Sequence, residues 1–182
     1  RLVKELQQLE KAHPDLVTPD SPTQRVGGEP LTQFLTVKHK IPMLSIDNTY
    51  SDEELREFDQ RIKRMGGIDA RHDVEYIVEL KIDGVAITLW YEYGLFVRGA
   101  TRGDGFEGDD VTANLRTVHQ IPLKLEPAGR KQGIPPVIEV RGEIYLPDKE
   151  FQRLNDEREE AGEPKFANPR NAAAGSVREL PS

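Results

Sequence analysis

One segment of the chain places a lysine between two carboxylates. Residues 78–84 read Val-Glu-Leu-Lys-Ile-Asp-Gly, and the strict alternation of apolar and charged residues is typical of a β-strand. The strand period puts Glu79, Lys81 and Asp83 together on one face. A lysine amine is a nucleophile only when it is unprotonated, which requires desolvation or neighbouring cations. Flanking carboxylates act in the opposite direction. They would hold the ammonium charged until a nucleotide and its metal ion arrive, or bind the sugar, the base or the metal themselves.

A solvated strand with a salt-bridged outer face is the alternative for this segment, because charged residues are mostly exposed. The residues that follow Gly84 argue against it. Val85, Ala86, Ile87, Leu89 and Trp90 form a mostly apolar run, which predicts a buried strand. We therefore expect the run to carry the charged face into a sheet core, and we interpret that face as a reaction centre.

The elements that must position this centre are a short helical lead and a β-rich body. Leu2, Leu6 and Leu9 recur at helical spacing, and that helix should end before Pro14. Residues 14–42 are rich in Pro, Gly and Thr and predict an ordered, irregular connection. A second helix should start at Ser51, in a capping box with Glu54, and stop at Gly66-Gly67.

Strands and further helices are predicted for the rest of the chain. Val74 to Val97 should form two strands that meet in a hairpin at residues 91–94, and another strand should run from about 137 to 146, after a flexible stretch at 127–136. A helix should resume near Asp148, with Phe151 and Leu154 inward and Gly162 as its stop signal.

The stretch Gly103-Asp104-Gly105-Phe106-Glu107-Gly108 fits the G-x-G-x-x-G pattern. A dinucleotide-binding loop is rejected, because its carboxylates, followed by Asp109-Asp110, would face a pyrophosphate and no βαβ unit surrounds it. A calcium loop is rejected because the ligand spacing is absent. We expect a tight turn that aims Arg102 into a cleft, with Asp109 or Asp110 capping the next short helix.

Arg170 and Arg178 lie eight residues apart, so a helix would project both towards one side. Ala172, Ala173, Ala174 and Gly175 between them would allow a close approach to a neighbouring element. A close-packed helix with two solvated arginines is the alternative. The guanidinium groups would suit phosphate, since their planar fork binds its oxygens bidentately and stays charged.

Composition restricts the classes of protein that remain. The 182 residues suit one domain, or one with a small appendage. No cysteine occurs in these residues, so disulfides and thiolate zinc sites are excluded within them. No apolar stretch is long enough for a membrane span, and we expect no secretory signal. The net charge of −7 opposes non-specific attraction to nucleic acid. Any DNA contact must be local, through arginines at positions 98, 102, 116, 141, 170 and 178.

Five segments together resemble a known family. They are Pro42 to Asn48 (PMLSIDN), Glu79 to Gly84 (ELKIDG), Ala100 to Gly105 (ATRGDG), Val140 to Glu143 (VRGE) and Phe166 to Ser176 (FANPRNAAAGS). In this order they resemble the NAD-dependent DNA ligases of bacteria, over nearly the whole chain. Lys-x-Asp-Gly also occurs in ATP-dependent DNA and RNA ligases and in capping enzymes, whereas the other four segments are similar to the NAD-dependent ligases only.

The resemblance implies an α+β fold that is ATP-grasp-like. It would be a covalent nucleotidyltransferase core of antiparallel sheets with flanking helices, and the AMP cleft would lie between the sheets. Residues 1–40 would be the tail of an N-terminal helical subdomain and its connection. Residues 41–182 would be the nucleotidyltransferase (adenylation) domain, incomplete at its C-terminus. The nicotinamide-recognising segment and the later lysine motifs, OB-fold, zinc, helix-hairpin-helix and BRCT regions are missing, so we expect a core excerpt.

The resemblance also implies the roles of individual residues. Lys81 would attack NAD and carry AMP, and Asp83 would orient it or the metal-bound phosphate. The adenine would lie at Glu79 and the Ser45-Ile46 segment. The remaining contacts would be Glu143 with the ribose hydroxyls, Arg102 with the ribose and phosphate, and Arg170 and Arg178 with the phosphate and the nick.

The implied partners are NAD or AMP, a divalent cation, magnesium or manganese, and nicked double-stranded DNA. The complete enzyme would pass AMP to a 5′-phosphate and seal the nick during replication and repair, as a monomer in the bacterial cytoplasm at the nucleoid. Two alternatives stay open: an ATP-dependent ligase or capping-type enzyme, which should lack the 166–176 segment, and a nucleotide-binding module in which Lys81 stays protonated and unreactive.

Overall fold

The computed structural model describes residues 2–25, 34–127 and 133–179 and shows an α+β fold. The α-helices within these residues are α1 (Leu2–Ala12), α2 (Asp52–Gly66), α3 (Thr112–Thr117), α4 (Asp148–Glu160) and α5 (Pro169–Val177). The strands found there are β1 (Thr36–Lys38), β2 (Val85–Glu92), β3 (Leu95–Thr101), β4 (Glu107–Asp109) and β5 (Val137–Ile144). All strand pairs are antiparallel, in the orders β3-β2-β5 and β1-β4. The predicted fold class is confirmed.

Parts of the predicted connections at 14–42 and 127–136, namely 26–33 and 128–132, lie outside the described residues.

The chain forms two compact units. The larger unit contains Arg1–Met43 and Ile82–Ser182, and the smaller contains Leu44–Lys81. The predicted site residues are divided between them, with Ser45, Ile46, Glu79 and Lys81 in the smaller unit.

Strand β2 is the centre of the larger unit. It pairs with β5 from Val85↔Ile144 to Glu92↔Val137 and with β3 across a tight turn. The turn residues Tyr93 and Gly94 both have positive φ, 49° and 81°, the conformation of the turns that match strand twist in two-residue hairpins. The predicted hairpin is therefore confirmed.

The core lies on one face of this sheet. Alternate residues of β2 contact apolar side chains from β3, α3, α5 and residues 121–123. The largest fully buried side chain is Tyr91, whose hydroxyl donates to the carbonyl of Pro122 at 2.9 Å. The buried alanines Ala172 and Ala173 of α5 confirm the predicted close approach of that helix.

The predicted strand start at Val74 is wrong, because β2 begins at Val85 and residues 73–83 have no strand structure. The expected burial fails as well, since Val78 is 93 % exposed and Leu80 is 88 % exposed. The reason lies in the partner strand. Val85 pairs with Ile144, where β5 ends, and Pro147, which has no N–H to donate, lies immediately before α4.

Within the larger unit, Arg25 joins the N-terminal segment to the end of α3, and Asp20 forms an ion pair with Lys124 at 3.4 Å. Helix α1 ends before Pro14, as predicted, and a short 3₁₀ turn at Pro22–Arg25 follows. The guanidinium of Arg25 donates to the carbonyls of Arg116, Val118 and Ile121 at 2.9–3.1 Å. These three oxygens surround the end of α3.

The smaller unit is built around α2. The Ser51 hydroxyl accepts from the Glu54 N–H at 3.2 Å, and Gly67 ends the helix with φ 62°, so both predicted signals are confirmed. The Glu54 carboxylate accepts from the Tyr50 N–H at 2.6 Å, so the reciprocal bond of the predicted capping box is made one residue before Ser51. The segment leading to Lys81 is joined to α2 where the Tyr76 hydroxyl donates to Asp59 at 2.9 Å.

None of the helices in the described part of the chain is long and apolar enough to cross a bilayer.

Candidate active site

Three arginines from two regions of the larger unit line one pocket. The pocket has a volume of about 250 Å³ and adjoins the start of β2, where Gly84, Val85 and Ala86 form one wall. Arg170 and Arg178 of the α5 segment and Arg102 after β3 contribute the cations. The predicted convergence of Arg170 and Arg178 on one side of a helix is confirmed.

Arg170 lies in the first turn of α5. The Asn168 side chain caps this helix by accepting from the Asn171 N–H at 2.8 Å, and Pro169 occupies the first turn, where its missing N–H costs nothing. Arg170 forms an ion pair with Asp83 at 3.3 Å. The Asp of the Lys-x-Asp-Gly segment thus contacts a pocket arginine.

Arg178 lies at the other end of α5. Its N–H donates to the carbonyls of Ala174 and Gly175, and its guanidinium forms an ion pair with Asp109 of β4 at 2.9 Å. Sequence reasoning assigned Asp109 only a possible helix-capping role. The expected cap by Asp109 or Asp110 is wrong, because the N-cap of α3 is Val111, which makes no side-chain cap hydrogen bond; Asp110, one residue before it, accepts from the Thr112 N–H at 3.0 Å.

The turn that carries Arg102 depends on two glycines. Gly103 and Gly105 have φ of 55° and 99°, and a Cβ on Gly103 would lie 1.9 Å from the carbonyl oxygen of Glu107. Two backbone N–H groups, those of Glu107 and then Phe106, hold the pKa of Asp104 below its ordinary value of 3.8. The tight-turn interpretation is confirmed.

The Arg102 backbone is held on both sides. Its N–H donates to the Ala86 carbonyl at 3.0 Å, and its carbonyl accepts from the His39 ring Nε2 at 3.1 Å. The His39 ring also stacks on Trp90, with centroids 6.2 Å apart. Sequence reasoning missed His39, because no local pattern connects it to position 102.

Gly84 leaves space for the neighbouring strand and for Glu143. An added Cβ would lie 2.1 Å from the Ile144 carbonyl oxygen and 3.1 Å from Glu143 Cγ. Glu143 is half-buried and pairs with Ala86, a pocket residue. Its predicted ribose contact stays a prediction.

The smaller unit carries the other predicted residues. Glu79 and Lys81 are exposed, in a segment after Tyr76 that has neither helix nor strand structure. Ser45 and Ile46 precede α2, and Ile46 is 76 % exposed.

Three of the six arginines considered for DNA contact make intramolecular contacts away from this pocket. Arg141 donates to the carbonyls of Ile41 and Pro42 and to Glu139. Arg116 lies over the Phe96 ring, 5.8 Å from its centroid. Arg98 approaches Asp110 at 4.0 Å. Because Arg102, Arg170 and Arg178 converge on one pocket, they are the better candidates for phosphate.

Within the described ranges, no group of three or more acidic or histidine side chains could hold a metal ion. A dedicated protein cage for a divalent cation is thus not found among those residues.

Comparison with known families and proteins gives a consistent result. A model of the NAD-dependent DNA ligase adenylation domain matches residues 31–182, and a model of the DNA ligase-like, N-terminal NAD+-binding domain matches residues 1–27. The DNA ligase of Thermotoga maritima is 62% identical over 180 residues, which is 99% of this chain and 25% of that protein. The DNA ligases of Desulforudis audaxviator and Geotalea uraniireducens are both 59% identical, over 99% and 100% of this chain and 26% of each relative. The chain spans about a quarter of the length of these curated relatives.

Proposed function

The chain belongs to the NAD-dependent DNA ligases through their adenylation domain, and from this membership we propose that it performs the adenylyl-transfer step on Lys81. The observation that carries the proposal is the pocket at the start of β2, in which Arg102, Arg170 and Arg178 converge beside the Gly84 of the Lys-x-Asp-Gly segment. The roles proposed for individual residues follow from the family resemblance.

In the proposed step, the unprotonated Lys81 Nζ attacks the adenylyl phosphorus of NAD. A P–N bond forms, the P–O bond to nicotinamide mononucleotide breaks, and the attacking nitrogen releases one proton to solvent. The products are a lysine phosphoramidate of AMP and free nicotinamide mononucleotide. Phosphoryl chemistry of this kind depends mainly on positioning and on neutralising charge, so the protein must supply cations around the phosphate.

The arginine pocket provides those cations. Arg170 and Arg178 are each about half exposed and each paired with one carboxylate, so their remaining N–H groups stay available to phosphate oxygens. Guanidinium groups bind such oxygens bidentately without losing their charge. We assign Arg102 to the ribose and phosphate of the nucleotide, and Arg170 and Arg178 to the phosphate and the nick.

The remaining assignments concern specificity and the metal. Glu143 binds the ribose hydroxyls, and Glu79 with Ser45 and Ile46 binds the adenine. Asp83 orients Lys81 or the phosphate, and its ion pair with Arg170 supports a role beside the anion. Magnesium or manganese would bind mainly through the phosphate oxygens of the nucleotide with one or two carboxylates, as Mg²⁺ usually does.

For the complete enzyme we propose transfer of AMP to a 5′-phosphate of nicked double-stranded DNA, followed by sealing in replication and repair. It would act as a monomer in the bacterial cytoplasm, at the nucleoid. The 182 residues alone should not seal a nick.

Intact mass spectrometry tests the proposal. The chain is incubated with NAD or with ATP and a magnesium salt, and a peptide map then locates any adenylate. We expect AMP on Lys81 from NAD, no AMP in Lys81→Arg, and an unchanged result in the control Lys40→Arg. Modification from ATP alone would favour an ATP-dependent ligase. Adenylate on another lysine, with Lys81 bare, would refute the assignment.

If no lysine reacts, the same measurement is repeated on a ligase polypeptide that contains this chain. A bare Lys81 there as well, with nucleotide still bound, would favour the non-catalytic binding module.

A further inference from the structure

The contacts of Arg178 assign a new role to Asp109, and we propose that it is a positioning residue that holds the Arg178 guanidinium ready for phosphate. The proposal rests on the proposed phosphate role of the arginine pocket. The Asp109 carboxylate lies 2.9 Å from Arg178 Nη2, and the two side chains are 36 % and 51 % exposed. Each is accessible enough that water would compete for it, so their pairing depends on how firmly both backbones are held.

The Asp109 backbone is fixed by hydrogen bonds on either side. Its N–H donates to the Thr101 hydroxyl at 3.0 Å, and Thr101 is buried. The next two N–H groups, those of Asp110 and Val111, donate to the carbonyls of Leu35 and Gly99 at 2.7 and 2.9 Å. A carboxylate on such a rigid strand end has a defined position.

The Arg178 backbone is fixed in the same way from the opposite side. Val177, directly before it, is part of the buried core. The Asn114 side chain of α3, itself 4 % exposed, donates to the Glu179 carbonyl at 2.9 Å. Only the long Arg178 side chain remains free to adopt different rotamers, and the Asp109 contact selects one of them.

Selecting a rotamer in advance reduces the entropic cost of binding an anion, because immobilising a long side chain opposes association. A carboxylate beside the pocket also repels phosphate. The two effects have opposite signs, so removing the charge of Asp109 distinguishes them. If the positioning effect is the larger, Asp109→Asn weakens phosphate binding. If Asp109 is only a nearby negative charge, Asp109→Asn strengthens it.

The first measurement needs no ligand. The ¹⁵N relaxation of the Arg178 Nε–H group reports the order of its side chain, and we expect this order to fall in Asp109→Asn. The matched control is Glu107→Gln, which removes a charge from the exposed residue two positions earlier on β4 and should leave Arg178 unchanged. An unchanged Arg178 signal in Asp109→Asn would overturn the proposal.

The second measurement is a double-mutant cycle on the affinity for AMP, with adenosine as the phosphate-free probe. Asp109→Asn should weaken AMP binding by about 2- to 12-fold, the effect expected from immobilising one side chain, and leave adenosine unchanged. In an Arg178→Ala background, Asp109→Asn should have no further weakening effect. Stronger AMP binding by Asp109→Asn, or the same loss in both backgrounds, would contradict positioning.

The outcome separates this proposal from the proposed function. If Arg178→Ala leaves AMP and adenosine affinities unchanged, the phosphate role of the pocket itself fails. If Asp109→Asn does not fold, Asp109→Glu replaces it. That variant keeps the charge and moves the carboxylate by one methylene, so it should lower Arg178 order without the loss of charge, and an unaltered order would count against the proposal.

Discussion

Replacing Gly84 with Ala should destabilise the protein because the new methyl group has no space. Its Cβ would lie 2.1 Å from the Ile144 carbonyl oxygen and 2.9 Å from the Ile144 carbonyl carbon. Both are backbone atoms, so the two strands must separate where their pairing begins. Overpacking of this kind costs about 1–3 kcal/mol. For a chain of this size that corresponds to a decrease in Tm of roughly 2–12 °C.

The matched control is Gly142→Ala on the partner strand β5, because no atom lies within 4 Å of a Cβ added there. Neither glycine has a positive φ, so the two substitutions differ in space and not in backbone strain. Gly142→Ala should be neutral or raise stability by up to about 1 kcal/mol, since it restricts the unfolded chain. Urea denaturation and thermal unfolding measure both variants. Equal stabilities for Gly84→Ala and Gly142→Ala would refute the steric argument.

Three further predictions concern other parts of the molecule. Arg25→Met should lower the free energy of unfolding by about 2–4 kcal/mol, because three backbone carbonyls lose charge-assisted hydrogen bonds. Urea denaturation measures this loss beside the control Arg71→Met, which removes an exposed arginine, and equal losses in the two variants would contradict the prediction. Because the pKa of Asp104 is lowered in the folded state, the stabilisation from its carboxylate is present above its unfolded pKa of 3.8 and is lost as the pH falls through its folded pKa. Asp104→Asn should therefore flatten the acid limb of a curve of stability against pH, and an unaltered acid limb would refute the prediction. Glu79→Ala should relax the preference for adenine over hypoxanthine nucleotides, whereas Arg102→Ala should weaken both equally; titration with both nucleotides decides, and the reverse pattern would show that the two roles are interchanged.

Local signals in the sequence predicted the local structure well. Ser51, Glu54 and Gly67 define the ends of α2 because capping and a left-handed stop depend on a few adjacent residues. The Tyr93-Gly94 turn is predicted for the same reason. The spacing of Arg170 and Arg178 predicted only that a helix here would bring both to one side, and α5 does bring both to one pocket.

Features that depend on distant residues were missed. The alternation at 78–84 resembles a strand, but a strand needs a partner, and β5 ends opposite Val85. The contacts Asp109–Arg178 and His39–Arg102 join residues far apart in the sequence. No periodicity indicates such pairs, because they are determined by the tertiary fold. The site residues named from the family resemblance stay predictions in their individual roles.

The Arg25 contact has a consequence for the order of folding. It joins positions that are 91 to 96 residues apart in the chain, and closing so long a loop costs entropy before the contact can stabilise anything. The β2–β3 hairpin closes a loop of only two residues. The N-terminal segment should therefore dock after the sheet and α3 have formed, outside the transition state. Loss of Arg25 should then accelerate unfolding and leave the refolding rate nearly unchanged, so that this one side chain contributes to the kinetic persistence of the native state.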